Sequence, residues 1–425
     1  MKIAGIIAEY NPFHNGHLHH LAETRRLTGA DAVVAVMSGD FVQRGVPAVC
    51  DKYIRAEAAL RCGVDLVLEL PVFGATASAE DFASAGIRAL NSLGCVDVVS
   101  YGAEDAPLSA ENEAMVASDG TSVESATCSD SAILRAARFL VSEPADFKEL
   151  LLRYVREGNS YAKARSLALT EYDPEAAELL TKPNNILAVE YEKAILRGGY
   201  PLKTCAIQRS DRGYHDTEPA PVCSASAIRQ AVTENDAVPG CSVPEAAREL
   251  FEGLRRDTMI TADDLSDMLC AELSSYTADT LSAVYDVPGD LANRILENTE
   301  LPFTWTSLAE SAKCKAFTRS RIDRALCHAL LHITAQDAEL FKKGDALPYL
   351  RVLGARKDSG DLLSSLCKTS KTPLLLRLFD DTKALSEDAK HLLSLDLRAS
   401  ALYSQILYRK TGTVRNDGRR RLLTV

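Results

Sequence analysis

The 425-residue chain has no uninterrupted apolar run that approaches the ~20 residues needed to span a membrane. Its first apolar segment also lacks the basic start and the small-residue cleavage site of a secretory signal peptide. We therefore expect a cytoplasmic protein with no membrane contact. With 46% hydrophobic residues, the chain can bury a large core, which favours an enzyme of two or three domains.

Cysteines at metal-binding spacing are missing as well. The 11 cysteines are an odd number scattered between Cys50 and Cys367, and no two of them form a C-x-x-C pair. This pattern argues against a disulfide framework and against a zinc ribbon. We expect the cysteines to pack as small hydrophobic residues.

Positive charge is scarce overall but concentrated at one end. The net charge is −11, which by itself argues against a nucleic-acid partner. Residues 311–425, however, contain 22 Lys and Arg against 12 Asp and Glu, a net charge of +10, which leaves −21 for residues 1–310. Such asymmetry indicates either a nucleic-acid surface near the C-terminus or a solvated helical face.

Short apolar segments alternate with helical patterns through the first hundred residues. Segments rich in Val, Ile and Leu on both faces are typical of parallel strands covered by helices. The alternation predicts an α/β fold with a doubly wound parallel sheet. The predicted strands are 3–8, 31–39, 64–71, 96–102 and 202–209, and the predicted helices between the first of them are 16–27, 52–62 and 79–93.

The rest of the chain is predicted to be largely helical. Residues from about 105 to 182 carry few strand signals, which predicts a helical insertion. We place a catalytic domain at residues 1–240 and a mainly helical, basic domain at residues 241–425.

The first twenty residues, MKIAGIIAEYNPFHNGHLHH, carry the strongest functional pattern. A buried strand leads through a turn at Asn11 and Pro12 to a helix that begins at Gly16. The carboxyl end of a parallel strand and the start of a helix together form an anion site, where His14 and His17 can donate to phosphate oxygens. Metal binding by several of the four histidines and ordinary surface or capping histidines are the alternatives.

Four residues at later strand or helix ends are predicted to lie near the same crevice. Gly102 follows the fourth strand, where it permits close approach of a nucleoside or serves as a turn glycine. Asn184 and Asn185 begin a helix, where one is an ordinary cap and the other can reach a base or ribose. Arg209 ends the fifth strand.

A second phosphate motif is predicted at residues 223–232, CSASAIRQAV. Serine hydroxyls and free N–H groups at a helix start bind phosphate, and Arg229 lies on the same face as Ser226. Ser224 and Arg229 are alternatively a cap and a surface residue. The pairing of this helix with His-x-Gly-His is more specific than either motif alone.

Two further groups of residues, most of them basic, are candidates for ligand contact. Lys52 and Arg55, with Gln43 and Arg44 before them, contact acetate, phosphate or RNA, or else form an exposed helix face. Near the C-terminus, basic residues interleaved with Phe317 can track a phosphate backbone. The tentative RNA-binding residues are Lys313, Lys315, Arg319, Arg321 and Arg324. The segment 349–357 and the terminal RNDGRRRLLTV add positive charge, although the terminal segment is alternatively disordered.

These segments together resemble the bacterial tRNA(Met) cytidine acetate ligases, a family of the nucleotidyltransferase superfamily. The resemblance rests on the segments IIAEYNPFHNGHLHH, MSGDFVQRGVPAVCDKYIRAEAAL, YGAE, PNNILAVEY, the Arg209 region with GYHD, SASAIR and YLRVLG. It spans nearly the full chain and implies a Rossmann-like nucleotidyltransferase sheet. Ala225 stands where the superfamily usually has a second hydroxyl residue.

The resemblance also implies which residues act on ATP. His14, His17 and Arg229 are the implied catalytic residues, acting on the phosphates. The implied ATP-binding residues are Ile7, Ala8, Glu9, Tyr10, Asn11, Pro12, Phe13, His14, Asn15, Gly16, His17, Leu18, His19, His20, Gly102, Asn184, Arg209 and Ser226. No protein metal ligand is predicted.

The implied reaction is a two-step ligation with ATP as substrate and Mg²⁺ as cofactor. Acetate attacks the α-phosphorus to give acetyl-adenylate, and the wobble cytidine (position 34) of elongator tRNA(Met) then accepts the acetyl group as N4-acetylcytidine. The alternative is a small-molecule adenylyltransferase that acts on a phosphate ester. A nucleotide-binding regulatory protein without turnover is a third class. The basic C-terminal region favours the RNA-modifying ligase.

Overall fold

The computed structural model describes residues 1–106, 131–159, 161–209, 224–299 and 302–425. The GYHD segment at 213–216 lies outside the described residues. The strands are β1 (Ile3–Ala8), β2 (Ala32–Ser38), β3 (Leu66–Leu70), β4 (Val98–Ala103), β5 (Lys203–Gln208), β6 (Leu350–Ala355), β7 (Leu374–Leu375) and β8 (Leu423–Thr424).

Most of the described chain is helical. The helices in its first part are α1 (Asn15–Thr28), α2 (Lys52–Arg61), α3 (Val72–Ala75), α4 (Ala79–Ser92), α5 (Ala132–Ser142), α6 (Ala145–Arg156), α7 (Tyr161–Tyr172), α8 (Pro174–Leu179) and α9 (Pro183–Gly198). Those in its second part are α10 (Ala225–Asn235), α11 (Glu245–Arg248), α12 (Ser266–Leu273), α13 (Ala278–Ser282), α14 (Gly289–Glu297), α15 (Trp305–Ala312), α16 (Arg319–Leu331), α17 (Ala335–Lys342), α18 (Gly360–Thr369), α19 (Leu378–Asp381) and α20 (Glu387–Thr411).

The strands form one sheet in the order β5-β4-β1-β2-β3-β6-β7, with β8 beside β6. The first five strands in this order are parallel, as predicted. The strand order reverses between β1 and β4, and a crevice opens at such a switch point beyond the carboxyl ends of the strands. The His-x-Gly-His loop follows β1 and therefore enters this crevice.

Helices cover both faces of the sheet, which explains why its strands are apolar on both sides. One core joins alternate residues of β1 to β3 to α4 and α9. The other joins the remaining strand residues to α1, α2 and α10. The predicted doubly wound arrangement is confirmed.

The sheet continues beyond the predicted domain boundary at 240/241. Strand β6 pairs antiparallel with β3, and β7 and β8 extend the sheet from β6. The segment YLRVLG is therefore a buried sheet strand. Residues 241–425 contain many helices, as predicted, but they also complete the sheet of the N-terminal part. No helix of the described residues is both long and apolar enough to cross a membrane.

A buried ionic cluster ties the C-terminal segment to the ends of β2 and β3. The Lys52 ammonium lies 3.2 Å from Asp40, 2.7 Å from Glu69 and 2.8 Å from Asp417. The Arg415 guanidinium pairs with Asp40 at 2.7 Å and with Asp51 at 3.3 Å. The prediction that Lys52 faces the crevice or solvent is thus wrong, because its charge is used inside the protein.

The terminal segment is ordered and partly buried. It carries Arg415 and Asp417 into the ionic cluster and then adds β8 to the sheet. The alternative that this segment is disordered is therefore wrong. Arg419, Arg420 and Arg421 stay exposed.

Candidate active site

The loop after β1 is held by its own aromatic side chains. Tyr10 and Phe13 are buried, and their ring centroids lie 4.8 Å apart. The His17 ring packs against both, at 4.9 Å from Tyr10 and 5.4 Å from Phe13. The peptide bond between Asn11 and Pro12 is cis. The rings of Tyr10 and Phe13 support the His17 side chain from two sides.

His14 and His17 form a capping box at the start of α1. The Gly16 N–H donates to His14 Nδ1 at 3.0 Å, and the His14 N–H donates to His17 Nδ1 at 3.2 Å. An Nδ1 atom that accepts a hydrogen bond carries no proton, so in each neutral ring the proton is on Nε2. The backbone thus selects the tautomer in which both rings present an N–H donor away from the helix start.

Burial keeps both imidazoles neutral near pH 7. It lowers the pKa of His14 to about 3, with Arg209 and Arg229 acting in the same direction. It also lowers the pKa of His17 well below its usual value, with further contributions from His14 and Arg209. The two ring centroids are 3.7 Å apart, a spacing that would be costly between two cations.

Helix α10 brings the second predicted motif to this loop. Arg229 donates from Nη1 to the Asn11 carbonyl at 2.7 Å and from Nη2 to Ser226 Oγ at 2.9 Å. Ser224 is the N-cap of α10 and accepts from the Ala227 N–H at 3.2 Å. The two serines therefore differ: Ser224 stabilises the helix start, and Ser226 orients the arginine.

A second contact fastens the start of α1 to the segment after α10. Asn15 donates from its backbone N–H to the Ser242 carbonyl at 3.0 Å and from Nδ2 to the Cys241 carbonyl at 2.7 Å. The sequence does not predict these two contacts, because every residue has a backbone carbonyl and the residue type gives no hint of its use. The loop that carries His14 is thus joined both to α10 and to the segment that follows it.

The third group of predicted residues lies at the ends of β4, β5 and α9. Arg209 Nη1 donates to Asn184 Oδ1 at 3.2 Å. A Cβ atom at Gly102 would lie 3.2 Å from Arg209 Cγ, so glycine leaves room for this side chain. Because β4 and β5 run parallel beside β1, their carboxyl ends place this group at the same edge of the sheet as the loop of His14.

The two neighbouring asparagines have separate tasks. Asn185 is fully buried, and its Oδ1 accepts from the Glu104 N–H at 2.9 Å and the Asp105 N–H at 3.1 Å. Asn184 is less buried and donates from Nδ2 to Glu104 Oε1 at 2.6 Å. Asn185 therefore holds the turn after β4, which leaves Asn184 as the candidate for nucleotide contact.

The other two histidines of the motif, His19 and His20, lie on α1 in different surroundings. His20 Nε2 lies 3.2 Å from Ser100 Oγ, which in turn contacts Thr24 Oγ1 at 2.7 Å. Burial, with help from Arg209, lowers the pKa of His20 to about 4. Leu18 and His19 are exposed on α1. The contact of Leu18, His19 and His20 with ATP stays a prediction.

Arg55 has a structural position that sequence reasoning missed. It is fully buried and donates to the carbonyls of Glu9 at 2.7 Å and Ser38 at 3.0 Å, and also to that of Gly39. It thereby fixes the carboxyl ends of β1 and β2 relative to each other. Neither of the alternatives weighed for Arg55 is right.

The five predicted RNA-binding residues differ in their exposure and in whether an acidic side chain already pairs with them. Arg319 is paired with Glu310 at 2.7 Å and Asp323 at 2.9 Å. Arg321 and Arg324 share Asp286, at 3.1 and 3.5 Å. Lys313 is exposed and lies 3.7 Å from Glu310, whereas exposed Lys315 has no polar partner among the described residues. The two lysines are therefore the most accessible of the five.

Comparison with known proteins matches this architecture over the whole chain. The model of the HIGH Nucleotidyl Transferase family matches residues 1–127 and 121–418. The tRNA(Met) cytidine acetate ligase of Syntrophotalea carbinolica is 36% identical over 422 residues, covering 96% of this chain and 94% of the relative. The ligase of the same name from Halothermothrix orenii is 35% identical over 427 residues, covering 96% and 95%.

Solved structures agree with the sequence comparison. Thermotoga maritima TmcAL in its apo form superposes with a TM-score of 0.86 at 28% identity, over 100% of both chains. The same protein with bound alpha-thio ATP gives a TM-score of 0.83, over 100% of this chain and 99% of that one. The chain therefore belongs to the tRNA(Met) cytidine acetate ligase family of the HIGH nucleotidyl transferases.

Proposed function

We propose that this protein activates acetate with ATP and transfers the acetyl group to N4 of the wobble cytidine of elongator tRNA(Met), in the cytoplasm. The observation that carries the proposal is the junction of the two phosphate motifs. Arg229 on α10 reaches the Asn11 carbonyl in the loop that presents His14 and His17. The nucleotidyltransferase fold and the ligase relatives support the same reaction.

In the first step an acetate oxygen attacks the α-phosphorus of ATP. The bond from this phosphorus to the bridging oxygen breaks, and pyrophosphate leaves with the electron pair. Such a displacement requires alignment and charge neutralisation rather than a covalent nucleophile of the enzyme. The Nε2–H groups of His14 and His17 are the donors for phosphate oxygens, and Arg229 with Ser226 stabilises the leaving pyrophosphate.

Neutral imidazoles suit this task. An N–H donor fixed by the fold costs no reorganisation when charge develops in the transition state. The backbone hydrogen bonds to Nδ1 hold each ring in place and keep Nε2 as the only donor. Arg209 and Arg229 supply the positive charge.

In the second step the N4 amine of cytidine attacks the acetyl carbonyl carbon. The bond between this carbon and the phosphate oxygen breaks, AMP leaves with the electron pair, and the amine loses a proton to the AMP phosphate or to water. The target base has to leave its stack in the anticodon loop to reach the adenylate. We infer that the helical part of residues 241–425 binds the tRNA, with Lys313 and Lys315 as its accessible cations.

The predicted Mg²⁺ does not fit a site made of protein side chains. Magnesium prefers oxygen ligands, above all carboxylates. The predicted phosphate site instead consists of the imidazole, guanidinium and hydroxyl groups of His14, His17, Arg229 and Ser226. Within the described ranges, no group of three His, Cys, Asp or Glu side chains is arranged to hold a metal ion. We expect Mg²⁺ to arrive on the ATP phosphates, and no step above depends on a protein-bound ion.

The first step is tested by pyrophosphate exchange into ATP in the presence of acetate and without tRNA. We expect His17→Ala to lower the exchange rate by about 10²-fold or more, the effect of removing one oxyanion donor. His391→Ala, which removes an exposed imidazole on α20, is the matched control. Equal rates for His17→Ala and the wild-type protein would refute the assigned role.

The acceptor is tested in a strain that lacks this protein and has no other acetylating enzyme. Its elongator tRNA(Met) should contain no N4-acetylcytidine, and purified protein with ATP and acetate should restore the base. Normal acetylation in the deletion strain would sink the proposal. Transfer of AMP to a phosphate ester, without any need for acetate or tRNA, would instead support the small-molecule adenylyltransferase.

A further inference from the structure

The connection between β2 and α2 forms a tight hairpin with Arg44 at its tip. The Val42 N–H donates to the Val46 carbonyl at 3.0 Å, and the Gly45 N–H donates to the Val42 carbonyl at 2.8 Å. Phe41 and Pro47 form an isolated antiparallel bridge at its base. The side chains at the base are buried, whereas Arg44 is exposed. The hairpin is therefore a rigid support for one arginine.

One side of this hairpin is fastened to the ATP loop. The Gln43 N–H donates to Glu9 Oε1 at 2.9 Å, and Gln43 Nε2 donates to the Ala77 carbonyl at 3.1 Å. Further along, the Val49 N–H donates to Asn11 Oδ1 at 2.9 Å. Arg44 thus follows directly on a residue whose backbone is bonded to the loop that carries His14 and His17.

The other side of the hairpin packs on the basic helix α16. Gly45 has a φ of +75°, and a Cβ atom there would lie 2.5 Å from Arg324 Cα and 2.8 Å from the Asp323 carbonyl. Glycine is required both by the left-handed backbone and by this approach. The tip therefore lies between the ATP loop and the helix that carries Arg321 and Arg324.

Arg44 differs from the neighbouring cations in its lack of a polar partner. Lys52 and Arg55 are satisfied inside the protein, and Arg321 and Arg324 share Asp286. Arg44 makes no hydrogen bond or ion pair with any described residue. A guanidinium that is unpaired and exposed keeps its full capacity for a two-pronged bond to a phosphate.

We propose that Arg44 is a positioning residue for the RNA acceptor and binds a backbone phosphate next to the nucleotide that enters the active site. This inference rests on the proposed function and adds one contact point to it. An RNA strand that crosses from α16 to the crevice passes the hairpin tip. Arg44 would then act in the second step, while acetyl-adenylate forms without it.

The test measures the two half-reactions, acetyl-adenylate formation and acetyl transfer, separately in full-length protein that carries Arg44→Ala. Acetate-dependent pyrophosphate exchange without tRNA should change less than twofold. The KM for tRNA(Met) in acetyl transfer should rise about 5- to 20-fold, corresponding to about 1–2 kcal/mol for one charged contact. The slope of log KM against log salt concentration should become shallower by about 1, the amount expected for the loss of one phosphate contact. Arg44→Lys should bring the KM for tRNA(Met) and the salt slope part of the way back to their wild-type values.

Arg156→Ala, which removes an exposed arginine at the end of α6, is the matched control for the loss of one charge. An equal loss in exchange and transfer by Arg44→Ala would overturn the inference, because Arg44 would then serve ATP or acetate. An unchanged KM and salt slope would overturn it too. Failure of the proposed function is distinguishable, since the wild-type protein would then show no acetate-dependent exchange.

Discussion

Removal of the Arg415 side chain tests how the C-terminal segment is held. This guanidinium is nearly inaccessible and lies 2.7 Å from Asp40 and 3.3 Å from Asp51. Asp417 Oδ1 also lies 3.1 Å from Arg415 Nε, so in Arg415→Met three buried carboxylates lose this cation. Breaking a buried pair in this way costs about 3–5 kcal/mol. Lys52 remains 3.2 Å from Asp40, so we expect the lower end, about 3 kcal/mol.

The assay is urea unfolding followed by the fluorescence of the single tryptophan. Trp305 is fully buried, and its Nε1 donates to Asp323 at 2.9 Å, so its emission changes when the helices around it separate. Circular dichroism should give the same midpoint. Arg419→Met is the matched control, because Arg419 is exposed in the same segment. A loss below about 1 kcal/mol in Arg415→Met, or an equal loss in the control, would refute the reasoning.

The same cluster predicts a pH dependence. Burial alone would raise the pKa of Asp40, but Arg415 and Lys52 outweigh it and lower this pKa to about 2. The unfolded value is about 3.9, so the stabilisation is fully present above it and is lost as the pH falls toward 2. Arg415→Met should therefore lose less stability than the wild-type protein between about pH 5 and pH 2.

Three further predictions concern the site and its surroundings. Because burial lowers the pKa of His14 to about 3 from an unfolded value of about 6.5, stability should fall as the pH drops through this window. The urea midpoints at pH 7 and pH 5.5 should therefore differ less in His14→Gln than in the wild-type protein. Gly102→Ala should push Arg209 aside and raise the KM for ATP in pyrophosphate exchange with little change in unfolding midpoint; an unchanged KM would contradict the close approach. Lys315→Ala should raise the KM for tRNA without loss of stability, whereas Arg324→Ala, which breaks a partly buried pair, should also lower the midpoint.

Local patterns were sufficient for much of the fold. The strand Ile3–Ala8 was predicted with its observed bounds, and the predicted helices 16–27, 52–62 and 79–93 agree with α1, α2 and α4 within one residue at each end. These elements combine a continuous apolar strand with a clear turn or cap. Their signals lie within a few residues of one another, which is why the sequence alone carries them.

Local patterns do not predict the role of a charged residue whose partners are distant in sequence. Lys52, Arg55 and Arg415 look like surface or ligand-binding cations, yet each is nearly inaccessible. The partners of Lys52 include Glu69 and Asp417. Asp417 lies near the other end of the chain, so no local spacing predicts its contact with Lys52. A buried cation depends on where the chain brings its carboxylates, and this is a property of the tertiary structure.

Sequence patterns alone predict the α/β alternation, the His-x-Gly-His loop at a strand end and the serine-arginine start of α10. Each is encoded by neighbouring residues through periodicity, capping and turn preference. The bond from Arg229 to the loop of His14, the hydrogen bond of Asn185 to the turn after β4 and the place of β6 in the sheet depend on the tertiary structure. These contacts join residues that are tens to hundreds of positions apart, so their formation depends on how the whole core packs.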